Sequence, residues 1–311
     1  MEFRTRIPIK EEQPKIDYDS RVFLTGSCFV ENIGAKLEYF KLRQLQNPFG
    51  ILFHPKAIET FLGRVLSGYH YSEKDIFFHN ERWHCFEAHS ALSNPDKEGI
   101  LENLNQRLEE TRKFLKEASH VVITLGTAWN YTFLESGNPV ANCHKIPQRE
   151  FKKELSSGEA ITGNLEKISA QLESINSHSK PIFTISPIRH LRDGFVENQH
   201  SKSNLISAVH SVGKGTYFPS YEIMMDELRD YRFYAEDMLH PSPVAIDYIW
   251  KRFTETWFTE EAILTLAEVE NIQKALAHRP FNENSDAHRS FLKKLEIRKS
   301  NLQKRYSHIR F

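Results

Sequence analysis

Apolar positions along the chain fall into short, nearly unbroken runs separated by longer stretches with helical spacing. Arg21-Val22-Phe23-Leu24-Thr25, His120-Val121-Val122-Ile123-Thr124-Leu125 and Pro181-Ile182-Phe183-Thr184-Ile185 are such runs, and they predict strands buried on both faces. Weaker strands are predicted at 42–46 and 216–218. Between them, Val30, Ile33, Leu37 and Phe40 recur at helical intervals. So do Ile58, Phe61, Leu62, Val65 and Leu66 behind Pro55, whose ring suits a first helical turn. Further helices are predicted over 97–118, 161–175, 196–212 and 221–231, and over most of 244–306. Two hairpins interrupt the pattern. One pairs 76–79 with 82–87 around Asn80-Glu81; the other pairs 131–134 with 140–142 around Ser136-Gly137-Asn138-Pro139.

Single buried strands alternating with helices imply βαβ crossovers and a parallel sheet covered on both faces. Five such strands suit a flavodoxin-like α/β order, in which ligands bind at the carboxyl ends of the strands. The polar breaks Gly26-Ser27, Asn47-Pro48-Phe49-Gly50, Gly126-Thr127 and Ser186-Pro187-Ile188-Arg189 each follow a strand and are expected to converge there. Residues 1–257 are expected to form this main domain, entered by a polar, proline-punctuated arm. Residues 258–311 are expected to be a helical extension packed on it through stripes that include Leu266, Val269, Ile272, Leu295 and Leu302.

The chain's 311 residues are 40% apolar and 12% aromatic, enough for one large domain with an appendage. Acidic and basic residues balance at 41 each, which argues against nucleic acid or a charged membrane surface as a partner. No apolar run approaches the roughly 18 residues that span a bilayer. The charged start from Met1 to Arg6 has no apolar stretch behind it, so no secretory leader is expected. With only Cys28, Cys85 and Cys143, and no C-x-x-C, a reduced cytoplasmic setting is expected. The basic run from Arg289 to Arg310 reads as the solvated face of a terminal helix.

Ser27 stands between a buried strand and a helix N-terminus, where free N–H groups favour developing negative charge. On that position alone an ordinary N-cap serine is the favoured reading. A nucleophilic serine needs a base, and Asp237-x-x-His240 supplies a carboxylate that can orient an imidazole within one turn. Cys28 is a competing nucleophile, since thiolates are activated at helix N-termini. A small buried core cysteine is the favoured reading there, because the next side chain points elsewhere. Cys143-His144 and His84-Cys85 with His89 lack a second spaced pair, so no metal and no cofactor is expected. Arg189 and His190 are candidates to bind a substrate carboxylate or phosphate, with an Arg189–Asp193 surface pair as the bland alternative. Gly213-Lys214-Gly215-Thr216 lacks phosphate-loop spacing.

Several blocks, in order, resemble the GSCFA family: Phe23-Leu24-Thr25-Gly26-Ser27-Cys28-Phe29, Asn47-Pro48-Phe49-Gly50, Thr124-Leu125-Gly126-Thr127-Ala128-Trp129, Asn142-Cys143-His144-Lys145-Ile146-Pro147, Ser186-Pro187-Ile188-Arg189-His190-Leu191-Arg192-Asp193 and Asp237-Met238-Leu239-His240-Pro241-Ser242. That family is similar to the SGNH or GDSL hydrolases. The resemblance implies a Ser27 nucleophile, a His240 base and an orienting Asp237. It further implies an oxyanion site built from the Ser27 N–H, the Gly50 backbone and an asparagine amide. The usual G-x-N-D block reads Gly126-Thr127-Ala128-Trp129, which leaves Asn142 or Thr127 to substitute for that amide. Asn47, Thr127, Arg189 and His190 are the expected substrate-binding residues. The expected activity is hydrolysis of a small or carbohydrate ester by a serine triad. Acyl transfer by the same triad, or a binding protein that kept the fold, are the alternatives; the oligomeric state is open.

Overall fold

The computed structural model describes residues 5–311. The stretch from Met1 to Arg4, on which part of the reading about a leader rests, lies outside the described residues. In chain order the first elements are β1 (Arg21–Gly26), α1 (Phe29–Tyr39), β2 (Arg43–Gln46), α2 (Pro55–Ser67), β3 (Phe77–His79), β4 (Arg82–His84) and α3 (Lys97–Glu117). Next come β5 (His120–Leu125), β6 (Trp129–Phe133), β7 (Pro139–Val140), β8 (Phe151–Leu155), α4 (Gly158–Ile175), β9 (Lys180–Ile185) and α5 (Phe195–Ser211). The chain ends with β10 (Thr216–Phe218), α6 (Ser220–Glu222), α7 (Pro243–Trp257), α8 (Glu260–Ala277) and α9 (Asp286–Arg305).

The five predicted strands form one parallel sheet in the order β10-β9-β5-β1-β2, the flavodoxin-like arrangement. Successive strand side chains alternate faces, which explains why the runs read as continuously apolar. Phe23, Val121, Ile123, Phe183 and Ile185 enter a core covered by α2, α3, α4 and α5. Val22, Leu24, Val122 and Ile182 enter a second core covered by α1, α7, α8 and α9. The last two helices therefore pack on the main domain, with Leu266, Val269, Ile272, Leu295 and Leu302 in that second core. The entry arm is strapped to the same face: the Ile16 N–H donates to Trp257 O, at the end of α7, at 2.6 Å, and the Tyr18 ring stacks at 5.0 Å on Tyr306, just past α9. Among the described residues, no helix is long and apolar enough to cross a membrane.

Two departures from the sequence reading have local causes. The second hairpin gains a third strand, β8, antiparallel to β6. Its outward Lys152, Lys153 and Glu154 hid the strand signal, because only Phe151 is buried. The helix predicted over 221–231 shrinks to α6 followed by a π-helical turn at Ile223–Glu227. That turn sets the Glu227 carboxylate inside, where it accepts from the Ile7 N–H at 2.9 Å and pairs with Arg252 at 3.3 Å.

Candidate active site

Gly26 ends β1 with φ 136°, and a Cβ there would lie 2.1 Å from Thr124 O. Only glycine permits so close a turn against the neighbouring strand. The turn is laced to both neighbours. The Gly26 N–H donates to Asn47 Oδ1 at 2.9 Å, and the Ser27 N–H donates to Thr124 O at 2.9 Å. Ser27 is left fully buried, its hydroxyl accepting from the Phe29 N–H at 3.4 Å. Cys28 is the next residue, half-buried, at the N-cap of α1.

The Asp237–His240 segment forms a tight turn with Met238 at φ 58°. One oxygen, Asp237 Oδ1, accepts from the Leu239 N–H at 2.9 Å and the His240 N–H at 3.0 Å; Oδ2 meets His240 Nδ1 at 2.6 Å. The His240 and Leu239 backbone N–H groups, and then the His240 ring, hold the carboxyl down at about 2. An ionised carboxylate accepts from Nδ1–H, which places the imidazole lone pair on Nε2. That atom lies 3.9 Å from Cys28 Sγ. The structure thus brings Asp237, His240 and Cys28 together, and no hydrogen bond joins Ser27 to His240. Sequence reasoning had placed Cys28 in the core. Because α1 begins at Phe29, Cys28 still belongs to the turn, and its sulfur rather than the Ser27 hydroxyl faces the imidazole.

Burial pushes the Cys28 thiol up to about 11, with the Glu31 carboxylate acting in the same direction. The N–H groups of Cys28 and Phe29, together with the Lys202 ammonium, pull the other way. Lys202, on α5, is fully buried and donates to Gly126 O and Ser186 O, both at 2.8 Å. It ties together the carboxyl ends of β5 and β9, and burial depresses it to about 7. Sequence reasoning missed it. The available signal was its place in the inward stripe Asn198, Ser201, Lys202 and Leu205, at helical spacing.

The remaining expected residues are largely engaged within the fold. The Gly50 N–H closes a turn onto Asn47 O at 2.7 Å, and its φ of 71° with His89 packed against it accounts for the glycine. Asn142 accepts from the His144 N–H at 2.8 Å and makes no hydrogen bond to the His240 turn. The Thr127 hydroxyl accepts from the Trp129 N–H and meets Ser201 Oγ, both at 3.1 Å, while its N–H donates to Phe53 O. Asn47 uses its oxygen on Gly26, and its buried Nδ2 has no partner. Of the expected oxyanion donors, the Ser27 and Gly50 N–H groups are therefore bonded within the fold. The N–H groups of Cys28 and Phe29 are those that act on Sγ.

Arg189 and His190 do lie beside the His240 turn. The Arg189 N–H donates to Leu239 O at 3.1 Å and its Nη1 to Met238 O at 3.2 Å. Asp193 pairs with Lys153 instead of Arg189. His190 packs edge-on against Phe53, and burial pushes it down to about 3, with the Lys202 and His240 charges adding. The His84 and His144 rings lie 4.7 Å apart, tilted by 44°, with His144 Nε2 at 2.8 Å from Cys85 O and His84 Nδ1 at 2.6 Å from Ser93 Oγ. All three cysteines are free.

The family model described as GSCFA family matches residues 21–253, and the one described as GSCFA domain protein, C-terminal domain, matches residues 269–311. No curated protein matches the chain.

Proposed function

The chain belongs to the GSCFA family, and we propose that it cleaves a small or carbohydrate acyl ester with Cys28 as nucleophile, His240 as base and Asp237 as the residue that orients the imidazole. The observation that carries this reading is the approach of His240 Nε2 to Cys28 Sγ at 3.9 Å while Nδ1 is held by Asp237. The site sits at the carboxyl edge of a doubly wound sheet, where such folds bind ligands. A nucleophile after the first strand and a D-x-x-H near the last also suit the SGNH or GDSL type of hydrolase. The serine expected in the nucleophile's place has its hydroxyl turned onto α1.

A thiol near 11 rests protonated at neutral pH, so the proton moves as the substrate is attacked. His240 Nε2 accepts it while sulfur bonds to the ester carbonyl carbon, and the resulting imidazolium faces the ionised Asp237. The C–O bond to the alcohol then breaks, and the alcohol leaves with the proton from His240. Water, deprotonated by His240, opens the thioester and releases the acid and the thiol. An alcohol in place of that water would make the same site a transferase. The N–H groups of Cys28 and Phe29, and Lys202 when protonated, favour negative charge at the reacting centre.

Turnover of a short-chain acyl ester or thioester tests this. Cys28→Ala and His240→Ala are each expected to lower kcat/KM by about 10³-fold or more, without adding to one another. Ser27→Ala is expected to stay within about tenfold, since it removes only a helix-start hydrogen bond. An inert Ser27→Ala beside an active Cys28→Ala would replace the thiol mechanism with a serine one.

A further inference from the structure

Among the described residues, Arg189 is a cation without a counter-charge. The carboxylate four residues on, Asp193, is taken by Lys153. No described carboxylate pairs with Arg189. Its guanidinium lies among three aromatic rings, 5.4 Å from Phe195, 5.6 Å from Tyr234 and 5.7 Å from Tyr231. Cation–π attraction holds it there, and those faces leave most of its five N–H donors for a ligand. Phe195 and Tyr231 are 65% and 61% exposed, so the rings line an open mouth instead of a sealed core. Only one N–H is engaged, with Met238 O, and the Arg189 backbone is bonded to Leu239, the residue before His240.

The geometry points to Arg189 as the anion-binding group of the proposed site, so that the ester cleaved carries a carboxylate or phosphate close to the bond that breaks. This rests on Cys28 and His240 as the reacting centre. A planar guanidinium takes such groups through paired hydrogen bonds, and a cation fixed by aromatic rings loses little freedom on binding. The exposed faces of Phe195 and Tyr231 would lie against the apolar part of the same ligand.

Charge-selective thiol reagents test the proposal without any turnover. Cys28 in the full-length protein is treated with 2-sulfonatoethyl methanethiosulfonate and, separately, with its 2-(trimethylammonio)ethyl counterpart, and each rate is read by peptide mass. Arg189→Met is expected to lower the ratio of anionic to cationic rate on the order of tenfold. Arg189→Lys is expected to keep most of the ratio, and added salt to narrow the difference. A ratio unchanged in Arg189→Met would overturn the proposal, including where the variant shifts only the melting temperature, as a mere clamp on Met238 would. A Cys28 closed to both reagents would overturn it too, because no shared mouth would then exist. Failure of Cys28 as the nucleophile shows separately, as ester turnover that survives Cys28→Ala.

Discussion

A cysteine raised to about 11 by burial, yet set against an imidazole, differs from a preformed thiolate–imidazolium pair. The thiolate is the reactive form, so raising its pKa lowers reactivity at any given pH below that value. In His240→Ala, alkylation of Cys28 by iodoacetamide is therefore expected to climb about tenfold per pH unit through pH 9.5 without levelling off. A plateau near the ordinary thiol value of about 8.5 would mean that the N–H groups and Lys202 outweigh burial. The same residue shows where sequence reasoning stopped. Gly26 and Ser27 were legible as a strand-end turn, but which of two adjacent side chains meets His240 depends on a backbone rotation of one residue. Arg189 was legible as a strand-end cation. That its alternative partner Asp193 is taken by Lys153 depends on β8, a strand whose charged centre concealed it.

At the scale of elements, the site depends on how β1 turns into α1. Gly26 has φ 136°, and a Cβ there would meet Thr124 O, C and N at 2.1, 2.8 and 2.9 Å, all backbone atoms of the adjacent strand β5. Neither the turn nor the strand can move without breaking the ladder that runs from Val22–His120 to Gly26–Thr124. Gly26→Ala is expected to destabilise the protein by about 3 kcal/mol or more. Chemical denaturation measures this, and a loss below about 1 kcal/mol would mean that the turn relaxes. The buried strands and most helices were readable because periodicity is a local property. The π-helical turn after α6 was not, since it follows from the distant pairing of Glu227 with Arg252.

Over the whole molecule, the second face of the sheet depends on the chain's end. Leu266, Val269, Ile272, Leu295, Leu302 and Ile309 are all buried in the core that contains Val22 and Leu24 of β1. At about 1.5–3 kcal/mol for each large apolar side chain, their combined burial rivals the stability of a typical domain. A chain ending at Trp257 is therefore expected to lose cooperative thermal unfolding rather than merely melt lower. A melt superimposable on that of the full chain would show that α8 and α9 are dispensable. The exposed lysines and arginines of α9 fit a solvated face, with Arg305 paired to Glu268 and Arg289 to Asp286.

The sequence by itself determined the parallel sheet, its two-sided burial, the polar strand-end breaks at its carboxyl edge and the Asp237–His240 turn. Each follows from spacing within a few residues, where backbone geometry leaves little choice. Only the tertiary structure decided that Cys28 faces His240, that Lys202 is drawn beneath the strand ends and that Arg189 keeps its charge unpaired. Those outcomes depend on which distant partners are near enough to claim each polar group. Side chains adjacent in sequence, or alike in chemistry, compete for such partners on terms that spacing along the chain does not encode.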